Sequence, residues 1–421
     1  MVSSGRSLRS SGIQEFWREI HPGMRRLIAI GMVEVLSVGL YVSLLAPWWK
    51  SLGYESVAQG WLNSIMEIAG AVVAVTGGII ADKYGRKGMY TVGQLMRCAA
   101  IMVLLSAKSF TGLVMVSVFR GLSVIQFPAR TAFVAGYTVK ESRATVLGIY
   151  QTASLVANIA APLAAGYMAD RFGVKPPLWL SLGLAVLAIL ISIPIGKEED
   201  SPGPSPSGSN SQTDTKSGKF SPEALLATVR EMLEQSDRRM LIPLLIAFIA
   251  NGLINGGVSI LLPFTVMDRF SDEYTAVTAL SVASSLGTAL VMLIGGRIAD
   301  LKGRRRVIVI TGTIMPVLML WVFWINRLWQ VYALLMLVSM IGNLAGPAMM
   351  AAKMEAVEEK YRATWDGLAQ GGVSVGLAMG YLAWGMLYKA SYTWSWLTVI
   401  CLCFVQVLCY SVALRSRQQA Q

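Results

Sequence analysis

Long stretches of this chain carry almost no charged side chains, and they recur from one end to the other. Residues 27–49, 178–196 and 392–414 read LIAIGMVEVLSVGLYVSLLAPWW, LWLSLGLAVLAILISIPIG and YTWSWLTVICLCFVQVLCYSVAL. The hydrocarbon core of a bilayer, roughly 30 Å thick, needs about 20 apolar residues of helix to cross it. The windows lack the alternation of a strand, and a helix satisfies its own backbone groups in lipid. We therefore predict membrane-spanning helices.

Twelve such windows are predicted to span the membrane, six before and six after a polar segment. They cover residues 27–49, 57–81, 89–107, 110–138, 143–169, 177–196, 240–266, 276–299, 306–325, 328–352, 363–388 and 392–414. Only 14% of the residues are charged, compared with about 25% in a typical soluble domain. The resulting domains are an N-terminal segment (1–26), a six-helix bundle (27–196), a linker (197–239), a second six-helix bundle (240–414) and a tail (415–421).

The linker is polar at its start and amphipathic at its end. Residues 197–222, KEEDSPGPSPSGSNSQTDTKSGKFSP, are rich in Ser, Pro and Gly and lack apolar side chains for a core. Leu225, Leu226, Val229, Met232 and Leu233 then recur on one helical face. We predict a cytoplasmic amphipathic helix leading into the second bundle.

The formal net charge of +12 is distributed asymmetrically along the chain. With the N-terminus in the cytoplasm, most Lys and Arg residues fall in inner segments and span margins. Seven fall in outer segments, namely Lys50, Lys108, Arg171, Lys175, Arg269, Arg327 and Lys389. This asymmetry predicts a multi-pass protein of the plasma membrane with both termini in the cytoplasm. Basic residues interrupted by membrane spans argue against nucleic-acid binding.

The residue types needed for a metal site or for nucleophilic catalysis are scarce. All four cysteines fall inside predicted spans, and His21 is the only histidine. No Cys or His spacing typical of a zinc site accompanies them. We therefore expect neither a metal, nor a cofactor, nor an enzymatic activity.

Two similar loops occur at matching places in the two halves. GGIIADKYGRK begins at Gly77, and GGRIADLKGRR begins at Gly295. Aligning Arg143 with Arg362 places RATVLGIYQ over RATWDGLAQ, and FPA from Phe127 over GPA from Gly346. Several markers in one register predict a repeated six-span unit.

These segments carry a resemblance to the major facilitator superfamily of secondary transporters, over the whole length from the first span to the last. GGIIADKYGRK resembles that family's signature loop between helices 2 and 3, and GGRIADLKGRR its weaker counterpart between helices 8 and 9. FRGLSVIQFPA is similar to the family's helix 4 motif with an intramembrane arginine. The resemblance implies an all-α membrane protein of two pseudo-symmetric six-helix bundles, which alternate access to a central site.

The first signature loop is predicted to act as a conformational latch. Asp82 closes span 2, where the helix dipole is negative, so its carboxylate needs a partner. Arg86 or the positive N-terminus of a helix in the other half would supply one, and the resemblance implies span 11, whose start carries Asp366. The predicted latch residues are Gly78, Asp82, Gly85 and Arg86, with Asp300, Gly303 and Arg304 in the second copy. The alternative is a basic loop that only orients the spans.

Charged residues inside the predicted spans are the main candidates for coupling. Such residues are costly in lipid and are expected to face the bundle interior and to pair. They are Glu34, Glu67, Arg97, Arg120 and Arg130. Helix rise predicts two levels, Glu34 with Arg130 or Arg97 and Glu67 with Arg120. The alternative is that these pairs only tie helices together.

The two halves are predicted to divide the work. Desolvation favours a protonated carboxyl group and a nearby arginine favours the carboxylate, so alternation between the two would couple transport to protons. Both deep acids lie in the first half, and Glu34 is the predicted main proton carrier, with Arg120 or Arg130 as its partner. Polar residues predicted to line the substrate cavity are Gln126, Asn251, Asn255, Asn343 and Gln370.

The predicted function is secondary active transport by a monomer, with proton-coupled efflux of small amphipathic compounds. Drug antiporters of the resembled family carry a glycine-proline motif in helix 5, of which ANIAAPLAAG keeps Pro162 and Gly166 and replaces other glycines with alanine. A symporter or uniporter for a small organic anion is the first alternative, because three deep arginines outnumber two deep glutamates. A transporter-like sensor is the second.

Overall fold

The computed structural model describes residues 22–137, 143–194, 229–232, 234, 238–292 and 304–420. Within these ranges, side chains are not described at 75–86, 131–132, 135–136, 143–147, 238, 292, 304, 359, 363 and 414–420. All the regular secondary structure in the described ranges is helical. The predicted all-α architecture is confirmed.

The helices before the linker are α1 (Pro22–Ser51), α2 (Ser56–Ser106), α3 (Phe110–Leu122), α4 (Gln126–Gly136), α5 (Arg143–Phe172) and α6 (Lys175–Ser192). Those after it are α7 (Arg238–Arg269), α8 (Tyr274–Met292), α9 (Arg304–Met319), α10 (Leu328–Glu355), α11 (Arg362–Ala390) and α12 (Tyr392–Ala420). A 3-10 turn at Ser123–Ile125 joins α3 to α4, so these two helices form one span. Two further 3-10 segments, Leu320–Trp324 and Glu359–Tyr361, follow α9 and precede α11.

Local sequence explains several helix ends. The Ser109 side chain accepts a hydrogen bond from Gly112 N at 3.2 Å and so caps α3. Proline occupies the first turn of α6, where its missing N–H has no intrahelical partner to lose. The starts of α3 and α6 therefore lie at turns that connect neighbouring spans at one end of the molecule.

Helix α2 contains two of the predicted spans, and the chain folds back within it. A side chain at Gly70 would meet Gly121 and Val124, and one at Gly93 would meet Ser123 and Gln126. A straight helix would hold Gly70 and Gly93 about 34 Å apart, yet both pack against the same short segment. The chain therefore reverses direction between Gly70 and Gly93.

Ten helical segments within the described residues are long and apolar enough to cross a membrane. They correspond to ten of the twelve predicted spans. The other two, predicted at 57–81 and 363–388, fall in α2 and α11, which are helical and contact each other between the halves.

Small residues bring equivalent helix pairs into contact within each half. In the second half, a Cβ on Gly252 of α7 would lie 2.1 Å from Val373 O, and one on Gly376 of α11 would lie 2.1 Å from Ile249 O. In the first half, a Cβ on Gly39 of α1 would lie 2.7 Å from the Cβ of Ala161 on α5. Helix backbones approach this closely only where side chains are small.

Large aromatic side chains are exposed at one end of the bundle, where α1 ends and α2 begins. Phe172, Trp179, Trp324, Trp329 and Trp394 are 57–68% exposed. Aromatic rings of this kind gather at membrane–water boundaries. Contacts described below join the two halves at this end. We therefore call it the closed end.

Candidate functional site

Glu34 lies at the centre of a buried polar cluster, here called the Glu34 network. Its carboxylate is 2% exposed and accepts hydrogen bonds on Oε1 from the Tyr90 hydroxyl and from Gln94 Nε2, both at 2.9 Å. Arg130 Nη1 donates to Oε2 at 3.4 Å, and Arg97 Nη1 lies 3.8 Å from Oε1. Four donor side chains therefore converge on the two oxygens of one buried carboxyl group.

The network belongs entirely to the first half. Tyr90, Gln94 and Arg97 recur on one face of α2, Glu34 comes from α1 and Arg130 from α4. The Arg130 side chain is 25% exposed, whereas that of Arg97 is 6% exposed. Arg130 therefore connects the buried acid to more open space. The structure brings Glu34 to both Arg97 and Arg130, and it does not bring Arg120 to Glu34.

The second predicted level differs from the first, because Glu67 and Arg120 form no ion pair within 4 Å in the part of the chain that is described. The Arg120 guanidinium carbon lies 6.0 Å from the centroid of the Tyr41 ring, and its Nη1 is buried without a hydrogen-bond partner. Both charges act electrostatically on Tyr381 of α11, beside Ser259 of α7. These two residues are therefore near the other half but not neutralised by each other.

The predicted substrate-cavity residues separate into two groups. Asn255 Nδ2 donates to Asn251 Oδ1 at 3.1 Å, and Asn343 Nδ2 donates to Thr288 Oγ1 at 3.0 Å. Asn255, Asn343 and Gln370 are exposed although they lie within helices of membrane length. Polar side chains exposed at such depth are typical of a hydrated cavity.

Gln126 does not belong with that group. It is 1% exposed and packs inside the first half, where a Cβ on Gly93 would lie 2.7 Å from its own Cβ. Gln126 is therefore buried against α2 in this conformation, and its assignment to the substrate cavity stays a prediction. Its Oε1, like that of Gln94, is buried without a protein partner.

Ion pairs join the two halves at the closed end. Lys50 Nζ, at the end of α1, lies 2.8 Å from Asp268 and 3.2 Å from Asp272. Lys389 Nζ lies 2.9 Å from Glu55. The pairs are partly or largely exposed, so each contributes about 1 kcal/mol or less.

Among the described residues, Asp170 makes the most extensive polar contact between the halves. Its carboxylate accepts from Tyr274 N at 2.7 Å, from Thr275 N at 2.9 Å and from the Thr275 hydroxyl. A Cβ on nearby Gly166 would lie 2.7 Å from Thr275 Cα, so α5 and α8 are in backbone contact. The acid of one half thus binds the free N–H groups that begin a helix of the other.

Sequence reasoning missed Asp170, although a signal was present. Residues 166–175, GYMADRFGVK, repeat the pattern GIIADKYGRK of residues 78–87. Gly173 occupies the place of Gly85 and has φ +82°, which favours glycine. A third copy of the signature, at the opposite end of the bundle, was therefore readable in the sequence.

The predicted latch side chains are not among those that the structure describes. Asp300 and Gly303 lie outside the described residues, and the side chains of residues 78–86 and of Arg304 are not described. Asp366 at the start of α11 pairs with Lys353 of α10. Among described residues, the inter-half hydrogen bonds and ion pairs run from the closed end to the pair Ser64 and Ala378.

Known proteins with similar sequences are membrane transporters. A multi-drug resistance efflux pump, PmrA, of Streptococcus pneumoniae is 27% identical over 145 residues, 32% of this chain and 36% of the relative. The quinolone resistance protein NorA of Staphylococcus aureus is 24% identical over 156 residues, 37% of this chain and 40% of the relative. An uncharacterized MFS-type transporter of Methanocaldococcus jannaschii is 23% identical over 157 residues, 37% and 41% of the two chains. The match spans well under half the length of each relative.

Solved structures share the fold over nearly the whole chain. The nucleoside transporter NupG has a TM-score of 0.70 at 14% identity and covers 94% of this chain and 99% of its own. A bacterial homologue of the human lysosomal transporter Spinster, in an inward-facing and unoccupied conformation, has a TM-score of 0.69 at 13% identity and covers 93% and 96%. At these identities the likeness concerns the fold.

The family model of the Major Facilitator Superfamily matches residues 27–271 and 244–420. The predicted membership, the integral multi-pass nature of the protein and its being a transporter rather than an enzyme are confirmed. This chain belongs to the Major Facilitator Superfamily.

Proposed function

We propose that the protein exports small amphipathic compounds across the plasma membrane in exchange for protons, by alternating access. The observation that carries this proposal is the Glu34 network, in which donors from α2 and α4 hold a buried carboxylate of α1. The efflux relatives PmrA and NorA support the direction of transport. The exposed amides of the second half would contact the substrate.

The geometry suggests how coupling would work. In this conformation two arginines and two neutral donors surround the Glu34 carboxyl group. If rocking of the halves withdraws Arg130, the partly exposed member, Glu34 loses a charge partner and gains a proton instead. Proton uptake and release then accompany the two conformations, as exchange requires.

The closed end is proposed to face the cell exterior. The positive-inside distribution of Lys and Arg supports this orientation, with both termini in the cytoplasm. The inter-half contacts would then seal the outside, and the protein would be open to the cytoplasm. An exporter loads its substrate and releases its proton in that state.

Transport by purified protein in liposomes tests the proposal. A proton gradient, acid on the side that is external in the cell, should drive substrate toward that acid side. Glu34→Gln mimics the protonated residue at similar volume and should abolish this response while leaving substrate binding measurable. A Glu34→Gln protein that responds to the gradient as strongly as the parent would exclude Glu34 as the proton carrier.

An organic anion symporter or uniporter is the second candidate. It is favoured by the excess of cations, because three intramembrane arginines, Arg97, Arg120 and Arg130, outnumber the two intramembrane glutamates, Glu34 and Glu67. A symporter would move its substrate in the same direction as the protons. A uniporter would show no response to the gradient, so the sign of the flux separates the three cases.

A further inference from the structure

Glu67 and Arg120 present opposite charges at the centre of the molecule. Glu67 makes no hydrogen bond or ion pair, and Arg120 leaves Nη1 without a partner, among the residues that the structure describes. Both act on the Tyr381 hydroxyl, which belongs to the other half. Two uncompensated charges within a membrane span are costly unless something binds them.

Their position is where the two halves separate. The Ser56 hydroxyl donates to Gly385 O at 2.8 Å, and the Ser64 hydroxyl donates to Ala378 O at 2.6 Å, so α2 and α11 are in direct contact along this stretch. One turn beyond Ser64 comes Glu67. On the facing helix, Val375 is 54% exposed and a Cβ on Gly371 would meet nothing within 4 Å. Glu67 is thus at the closed apex of a cleft.

Among the described residues, the opposite wall of the cleft supplies polar groups and no charge that would neutralise either Glu67 or Arg120. The second half contributes the Ser259 and Tyr381 hydroxyls and the Asn251 and Asn255 amides. A cationic ligand would satisfy Glu67 and leave Arg120 without a counter-charge, and an anionic ligand would do the reverse. A ligand carrying both charges satisfies both.

We propose that Glu67 and Arg120 form a binding site for zwitterionic compounds, with the ligand's ammonium group at Glu67 and its carboxylate at Arg120. This inference rests on the proposed transport function and names the substrate class of its central site. Tyr381 and Ser259 close the site from the other half, so ligand at the apex contacts both halves at once.

Equilibrium binding to the protein in lipid nanodiscs tests this site. Three probes share an octyl tail: N-octyl-N,N-dimethylglycine, octyltrimethylammonium and octanoate. The first is zwitterionic, the second cationic and the third anionic, and all keep these charges near pH 7. The betaine should bind at least about 10-fold more tightly than either singly charged probe, because it gains a charge-assisted contact that each of them lacks.

Two variants assign the charges. Glu67→Gln should weaken betaine and octyltrimethylammonium about 10-fold and leave octanoate unchanged, whereas Arg120→Gln should weaken betaine and octanoate and spare octyltrimethylammonium. Glu234→Gln is the control, because that residue is exposed and pairs with exposed Arg230 on the surface. No preference for the betaine, or an equal effect of both variants on all three probes, overturns the proposal.

Failure of this inference is distinguishable from failure of the transport proposal. Binding of fixed-charge probes needs no proton gradient, so it can succeed in a protein that shows no proton-driven flux. Conversely, proton-driven export with no charge preference at Glu67 and Arg120 would leave the transport function standing and remove the zwitterion site.

Discussion

Asp170→Asn should shift the protein away from the conformation described here. The substitution keeps the volume but removes the charge that faces the start of α8, and it turns an N–H₂ group toward the donors of Thr275. Helix-terminus charge contributes roughly 0.3–1 kcal/mol, and a hydrogen bond to a charged group roughly 1.5–3 kcal/mol. Because Asp170 is exposed, we take the lower end of the hydrogen-bond range alone and expect a loss of about 1.5 kcal/mol, which is about a 12-fold change in the ratio of closed to open forms.

Spin labels at Lys108 and Arg327, on opposite halves at the closed end, would report the change in a background without the four native cysteines. Pulsed electron resonance should show the longer inter-label distance growing about 12-fold relative to the shorter one. Asp272→Asn is the matched control, because Asp272 is 85% exposed and Lys50 keeps Asp268 at 2.8 Å. Its distance distribution should stay within a factor of two of the parent. An Asp170→Asn distribution equal to that of the control would refute the reasoning.

Four further predictions concern other parts of the chain. Glu34→Gln should abolish the pH dependence of substrate binding, and Glu67→Gln should change it less; titration of binding by calorimetry checks both. Asp82→Asn should slow conformational exchange at nearly constant ligand affinity, as fluorescence kinetics would show, and faster exchange would contradict the latch. Deleting residues 200–218 should preserve folding, and size-exclusion chromatography would reveal collapse. Gly376→Leu should destabilise the second half by at least about 3 kcal/mol, because its Cβ would lie 2.1 Å from Ile249 O; an unchanged melting temperature would contradict this.

The sequence predicted the helices because each one needs about 20 apolar residues to cross the lipid bilayer. Long uncharged windows predicted all ten described segments of membrane length, and the repeat predicted the family. The Glu34 partners were also predictable, since Arg97 and Arg130 lie at matching depth and a buried acid needs donors.

The sequence did not predict contacts that depend on how a helix is rotated about its axis or on a partner far along the chain. Gln126 was assigned to the cavity because span depth says nothing about which way a side chain points. Arg120 was named as one possible partner of the proton carrier Glu34, but its guanidinium carbon lies 6.0 Å from the centroid of the Tyr41 ring instead. Asp170 was passed over because its partner is the backbone of α8, and backbone groups leave no sequence pattern of their own.

The contact between α2 and α11 affects how fast the two halves can separate and rejoin. Hydroxyls and glycines of one helix meet backbone carbonyls of the other, from Ser56 with Gly385 to Ser64 with Ala378. Such groups are fixed by the helices themselves, so neither surface must rearrange side chains before it can separate or rejoin. The activation barrier for opening should therefore arise mainly from rehydrating a few hydrogen-bonding groups. The contact between α2 and α11 can then open and reform many times without becoming trapped in mismatched side-chain arrangements.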